Sequence, residues 1–391
     1  MGKKKVIVIG AGIGGLSTAV TLGRVGIDVE VHERAPELLA AGSGLSVMSN
    51  AISALDTLDI DLGLEKRGQV IESYTIREAR GGVVRELPFP DVCRRIGTPS
   101  VCISRSDLQQ ALLDAAGDVP IHLGHTVTGF EHGADGVRVS FEDGGHAEGD
   151  ILVGADGFRS TIRGRLAGID DARDSGYVCW LGIVPFEHER FPTGCVGHYW
   201  GSGQRFGLID IGRGRAYWWG TKNMPAEESA DWRGGKAAVL AAYDGWADEV
   251  RAVIEATPEA DILAVPSRDR PFLERWGTGP VTLLGDAAHP MLTSLGQGAA
   301  MAIEDAVVLA TTLAERADSV DALRTYEDRR RERTRQMVAT SRSVSEFEQL
   351  ENPLRRAMRD TYFRFVPRKV LEGQSELALT FPRVEPAMRG N

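Results

Sequence analysis

The chain has 391 residues, more than one simple core usually needs, so two interlocked domains are expected. Hydrophobic residues make up 42% and charged residues 26%, the ordinary mixture of a globular protein in water. The net charge of -10 argues against a nucleic-acid partner, because phosphate binding needs a net basic face. Lys3, Lys4 and Lys5 directly precede an apolar run and read as a solvated terminus. Cys93, Cys102, Cys179 and Cys195 show no CxxC spacing, so neither a disulfide framework nor a metal centre is expected; they read as reduced thiols in the cytoplasm. Val6 to Ile9 is too short for a signal sequence, and no apolar run is long enough for an integral membrane segment.

Val6 to Ile9 is fully apolar, as in a parallel strand covered on both faces. A glycine-rich turn follows, then a helix over 16–25 and a second strand over 28–32, a βαβ opening. Asn50 is the expected N-cap of a helix running toward Leu58. Residues 73–87 read as a hairpin turning at Gly81-Gly82, and Ser104 or Ser106 as the cap of the next helix. Three strand-like runs lie between Thr126 and Val153, separated by turns at Ala134-Asp135-Gly136 and Asp143-Gly144-Gly145. From Gly176 to Lys222 long alternating strands rich in Trp, Tyr, Phe and Val predict a mostly antiparallel sheet. Two helices are expected between Gly234 and Ala256, a buried strand over 281–284, and helices over 298–314 and 320–347. Arg329, Arg330, Arg331, Arg333 and Arg335 read as a solvated face of the last of these.

Three strings carry chemistry. In Gly10-Ala11-Gly12-Ile13-Gly14-Gly15, Gly10 permits a tight turn, Gly12 lets backbone approach a pyrophosphate, and Gly15 allows close helix–strand packing. Glu33, closing the second strand, can accept hydrogen bonds from a ribose; Arg34 beside it could pair with the adenosine end or be a solvated turn residue. The second string is Gly154-Ala155-Asp156-Gly157 with Arg163 after it. The third is Gly285-Asp286-Ala287-Ala288-His289-Pro290, followed by Gly296-Gln297-Gly298 and Glu304-Asp305-Ala306. Each places an acidic residue just after a buried strand, and a helix starting near Gly298 would aim N–H groups at developing negative charge.

Together, in this order and spacing, the strings resemble the single-component (class A) FAD monooxygenases of the p-hydroxybenzoate hydroxylase type, over residues 6 to about 335. The likeness is greatest to compact members: urate hydroxylases, salicylate and 3-hydroxybenzoate hydroxylases, and zeaxanthin epoxidase-like enzymes. The fold so implied is α/β, a Rossmann-like FAD-binding domain (1–70, 100–172, 276–345) interlocked with a mostly antiparallel substrate domain (71–99, 173–275) and a helical C-terminal segment (346–391). The resemblance implies that Gly10, Gly12, Gly15 and Glu33 hold the ADP half of FAD, with Ile13, Gly14 and Arg34 counted among the cofactor-binding residues beside them. Arg105 would contact the flavin's phosphate or ribityl region, Gly44 and Leu45 count among the cofactor-binding residues, Val127 would hold adenine through its backbone, and Asp286 would bind the ribityl chain. Gly296, Gln297, Gly298, Ala299 and Ala300 would wrap the isoalloxazine edge. Asp156 either serves FAD and the nicotinamide cofactor or only shapes the fold. Thr293 stands where members usually have proline, which brings a hydroxyl into the loop.

The family's chemistry is hydride transfer from a transient NADH or NADPH to FAD, reaction with O2 to a C4a-hydroperoxide, and oxygen transfer to an aromatic or heteroaromatic small molecule. The single GxGxxG fits a reductant that visits without a Rossmann domain of its own. Arg205 and Tyr217 align with positions that urate hydroxylases use to orient and activate substrate, though Tyr217, Trp218 and Trp219 also read as a packed aromatic strand. His289 reads as structural, and His122 and His125 as lacking the company of a metal site; no metal is expected. Epoxidation, natural-product or antibiotic modification, and a flavin-binding, ligand-sequestering protein without turnover are the other readings. Residues 179–183 do not match the WxWxIP string of related halogenases. A monomer and a homodimer both fit.

Overall fold

The computed structural model describes residues 4–38, 43–133, 136–168 and 171–382. Lys3, the Ala134-Asp135 part of an expected turn, and residues 383–391 of the C-terminal segment lie outside them.

The apolar Lys5–Ile9 run forms the centre of a five-stranded parallel sheet. Its order is Val281–Leu283, Ile151–Gly154, Lys5–Ile9, Asp28–Glu33, Ile121–Leu123. Burial on both faces explains why Lys5–Ile9, Ile151–Gly154 and Val281–Leu283 lack alternation, whereas Asp28–Glu33, nearer the edge, keeps it. The helix Ile13–Arg24 packs on this sheet and against Gly298–Glu315. Three strands, Val127–Gly133, Gly136–Phe141 and His146–Gly149, form a separate antiparallel sheet. The larger sheet has seven strands in the order Leu263–Asp269, Arg173–Pro185, Arg215–Asn223, Gln204–Asp210, Cys195–Trp200, Ser73–Glu78, Val83–Glu86. Only the pair 195–200 and 73–78 is parallel in it. The fold class is therefore the expected one: α/β with a Rossmann-like parallel sheet, a mostly antiparallel sheet and a helical C-terminal region. Among the described residues, no helix is long and apolar enough to cross a membrane.

Three expectations are corrected. Lys4 is not merely solvated: its ammonium donates to the carbonyls of Leu313 and Arg316 at 3.3 and 2.8 Å, completing the C-terminus of Gly298–Glu315. Asn50 is not an N-cap, because the Ser49–Asp56 helix starts one residue earlier, after Met48. The long helix Ser319–Glu348 does not solvate all its arginines. Arg330 is buried and Arg333 is 11% exposed, because the stripe of that helix facing the core is itself polar.

Candidate active site

A cavity of about 440 Å³ opens between the parallel sheet and the seven-stranded sheet. One side is built from backbone-rich turns. Gly10 has φ +103°, and a Cβ there would lie 2.5 Å from the Ala155 carbonyl. A Cβ on Gly15 would collide with the Gly10 carbonyl. The fold itself thus demands these two glycines. Gly12 differs: nothing lies within 4 Å of the Cβ it lacks. It sits at the N-cap of Ile13–Arg24, where unpaired N–H groups and the helix dipole favour an anion. An open approach there is what a dinucleotide pyrophosphate needs. The Glu33 carboxylate accepts the Ala11 N–H at 2.7 Å and the Ala35 N–H at 2.9 Å, latching the loop to the end of its strand.

Gly12, Ile13, Gly14, Gly44, Leu45, Arg105, Asp286, Gly296, Gly298 and Ala299 all line the cavity. Asp286 lies on the short turn Gly285–Ala287. Enclosure by the surrounding walls raises its carboxyl above the ordinary range, while His289 and Arg105 pull it back down. Gly296 has φ +62°, turning the chain so that Gly298–Glu315 starts toward the cavity. Glycine-rich walls, a helix N-terminus, a cation at Arg105 and an acceptor at Asp286 together suit FAD.

Behind this side lies a buried ionic network. Asp305 accepts Arg330 Nε at 2.6 Å and the Gly285 N–H at 3.1 Å, and shares a 2.6 Å bond with His289 Nε2. Burial alone would raise the Asp305 carboxyl, but the His289 and Arg330 charges overcome it and hold it at about 2. Glu304 accepts from Asn50, Arg330 and Arg333 at 2.6–2.8 Å. Asn50 also donates to Gln297 Oε1 at 3.0 Å, and Gln297 Nε2 donates to the Ala378 carbonyl at 3.2 Å. His289 is buried and does not line the cavity. Asn50 is the residue whose part in the site was missed. Its polarity was the signal, but a cap explained it equally well.

The seven-stranded sheet supplies the other side. Tyr217 and Trp219 face the cavity, while Trp218 between them points into a separate core and donates to Thr257 Oγ1 at 2.8 Å. Trp219 lies across from Gly207, where a Cβ would be driven into the indole. Tyr217 is backed by Gly44 in the same way. His198 meets Trp219 edge-on at 5.0 Å, and the Tyr74 hydroxyl lies 3.2 Å from His198 Nε2. Burial, aided by Arg205, pushes His198 down to about 3, so its imidazole is neutral. Burial also holds the Tyr217 hydroxyl protonated. Tyr74 and His198 had no distinguishing pattern in the sequence; only the parallel pairing of their strands makes them neighbours.

Other expected residues stand elsewhere. Arg205 is buried outside the cavity lining. It is ion-paired with Glu348, stacked 5.0 Å from the Trp219 ring, and donates to Ser294 Oγ at 3.0 Å. Asp156 accepts the Ser160 hydroxyl at 2.5 Å and the N–H groups of Thr161 and Ile162, so it caps the Thr161–Ala167 helix. Val127 and Arg34 do not line the cavity: Val127 is buried in its own sheet, and Arg34 points to solvent. Gly10, Gly15, Gln297 and Ala300 support the walls without lining them. Thr293 does line the cavity, on the turn Thr293–Leu295. The metal reading of the histidines also needs correction. Glu30, His32 and His122 bring one ligand atom each within 4.8 Å of one another, because strand pairing supplies the company that the sequence did not show.

Residues 3–341 match the family described as FAD binding domain. Aurachin C monooxygenase/isomerase of Stigmatella aurantiaca is 37% identical over 376 residues, 96% of this chain and 98% of its own length. An FAD-dependent urate hydroxylase of Klebsiella pneumoniae subsp. pneumoniae is 35% identical over 340 residues, 86% of this chain and 88% of its own. The crystal structure of Klebsiella pneumoniae HpxO complexed with FAD and uric acid has a TM-score of 0.89 at 31% identity, with 97% of each chain covered. The chain belongs to this FAD-binding family and is an FAD-dependent monooxygenase that uses NAD(P)H.

Proposed function

We propose that the enzyme hydroxylates an uncharged aromatic or heteroaromatic ring, held against the Tyr217 and Trp219 wall, with O2 as oxygen source. The observation that carries this is the chemistry of that wall. Tyr74, His198, Tyr217 and Trp219 are aromatic and neutral, with Cys179, Leu181 and Ile209 between them. Of the arginines on this side, Arg205 is held behind Trp219 by Glu348, and Arg268, which lines the cavity, is ion-paired with Asp174 at 3.3 Å. Such a surface stacks a flat ring and offers single hydrogen bonds rather than charge. Its named relatives act on aurachin C and urate, so ring substrates occur in the family.

When bound, FAD supplies the redox and oxygen-transfer chemistry. The chain's residues position and insulate it. We assign the pyrophosphate to the N–H groups after Gly12, the ribose to Glu33, and the ribityl and phosphate region to Arg105 and Asp286. The turn from Gly296 to Ala299 would hold the isoalloxazine edge through backbone N–H groups. Arg205 is a positioning residue, tying Trp219 to Ser294 on the loop before that turn. Tyr217 orients the ring as a protonated hydrogen-bond donor. Action in the cytoplasm, as a monomer or homodimer, completes the reading.

The test is NADH and NADPH oxidation by the FAD-loaded enzyme. Neutral phenols, indoles and quinolones are compared with their carboxylated counterparts and with urate. Neutral rings are expected to stimulate oxidation and gain one oxygen by mass. Stimulation by the carboxylates or urate, with the neutral rings inert, would overturn the assignment.

A further inference from the structure

The patch at the edge of the parallel sheet, away from the cavity, has the makings of a second site. Glu30 and His32 are two residues apart on one strand, so both project from the same face. Parallel pairing sets His32 beside His122 on the edge strand. The turn after that strand returns His125 to the patch, its N–H donating to the Glu33 carbonyl at 2.9 Å.

The polar edges of these side chains converge. Glu30 Oε1 lies 3.3 Å from His32 Nε2. On its other edge, His32 Nδ1 shares a 2.9 Å hydrogen bond with His125 Nδ1. A metal-binding histidine is usually held this way, one nitrogen free for the ion and the other fixed by a neighbour. Phe141 stacks on the His32 ring at 4.8 Å and fixes its plane. His122 makes ring contacts but no hydrogen bond among the described residues, and it is exposed, so its ring can turn toward an ion arriving from solvent. Lys5 holds the far oxygen of Glu30 at 3.1 Å, leaving Oε1 for the ion.

We propose that Glu30, His32 and His122 form a site for a borderline divalent cation such as Zn2+, Ni2+ or Co2+, with His125 orienting His32. Two imidazoles and one carboxylate match such ions rather than Mg2+ or Ca2+, which prefer oxygen ligands. Water completes the coordination. The site is structurally tied to the dinucleotide loop, because the His32 carbonyl accepts the Gly10 N–H at 2.7 Å. Occupancy would therefore brace the strand that ends in Glu33.

The experiment uses chelator-treated, FAD-loaded enzyme titrated with Ni2+ and Zn2+ by calorimetry, and with Co2+ by visible absorption. One equivalent is expected to bind and to raise the melting temperature. His122→Ala, at an exposed position that does not threaten folding, and Glu30→Gln should each weaken binding roughly tenfold or more. His146→Ala, on the neighbouring sheet, should leave it unchanged. Absence of saturable binding would refute the site. So would equal affinity in wild type and His122→Ala, or a loss of affinity confined to His146→Ala.

Discussion

At the scale of single residues, the walls of the cavity are set by what is missing as much as by what is present. Gly207 has no side chain, and Trp219 occupies that space. Gly207→Ala overfills the contact. It should cost about 1–3 kcal/mol in urea unfolding and depress ring-stimulated NAD(P)H oxidation, while the FAD content of the purified protein stays normal. Arg205 and Glu348 make the complementary case. Both are nearly buried, so removing one leaves the other as an uncompensated charge. Glu348→Ala should destabilise the fold by about 3–5 kcal/mol, and the double replacement Arg205→Met with Glu348→Leu should recover most of that loss. A double-mutant cycle measured by chemical denaturation checks both numbers. If the single and double replacements cost the same, the charge argument fails.

Among elements, the junction of Gly298–Glu315 with Ser319–Glu348 carries the pH response. Asp305 has an ordinary value of 3.8 and is held at about 2 in the fold. A carboxyl depressed in this way contributes stability that is complete above its unfolded value and vanishes as pH falls through its folded one. The window is therefore pH 3.8 down to about 2, and the contribution is about 2 kcal/mol. Urea midpoints measured across that window should fall steeply in the wild type and less steeply in Asp305→Asn.

The same junction shows what the sequence made legible. The Gly10–Gly15 turn could be placed because it follows a strand and opens a helix, Glu33 and Asp286 because they sit at or just after a strand's end, and the Gly296–Ala299 turn because it opens a helix, all local arrangements. The buried face of Ser319–Glu348 could not, because Glu327, Arg330, Thr334 and Ser341 recur at helical spacing yet are polar. Periodicity of hydrophobicity is blind to a stripe that satisfies itself by ion pairs. Pairings across strands, such as Tyr74 with His198 and His32 with His122, were hidden because register is a tertiary property.

For the molecule as a whole, support for the cofactor side arrives from far along the chain. Gln297 and Arg333 donate to the carbonyls of Ala378 and Thr380, so the helix Arg368–Leu379 braces the loop assigned to the flavin ring. Removing residues 366–391 should leave the far-ultraviolet circular dichroism of the sheets intact. It should weaken FAD retention on gel filtration roughly tenfold, the effect of losing a layer of outer support. Normal retention in the truncated chain would show that the loop stands without this brace.

The placement of the indoles has a further consequence, in optics. Of the seven tryptophans in the chain, Trp219 is the one that lines the cavity. A bound flavin absorbs where indoles emit, and an aromatic guest would lie against this indole and against no other. Loading FAD should dim the whole emission, whereas a ring arriving afterwards should alter only the part lost in Trp219→Phe. The enzyme thus carries its own reporter, able to register occupancy by a ring that is never turned over.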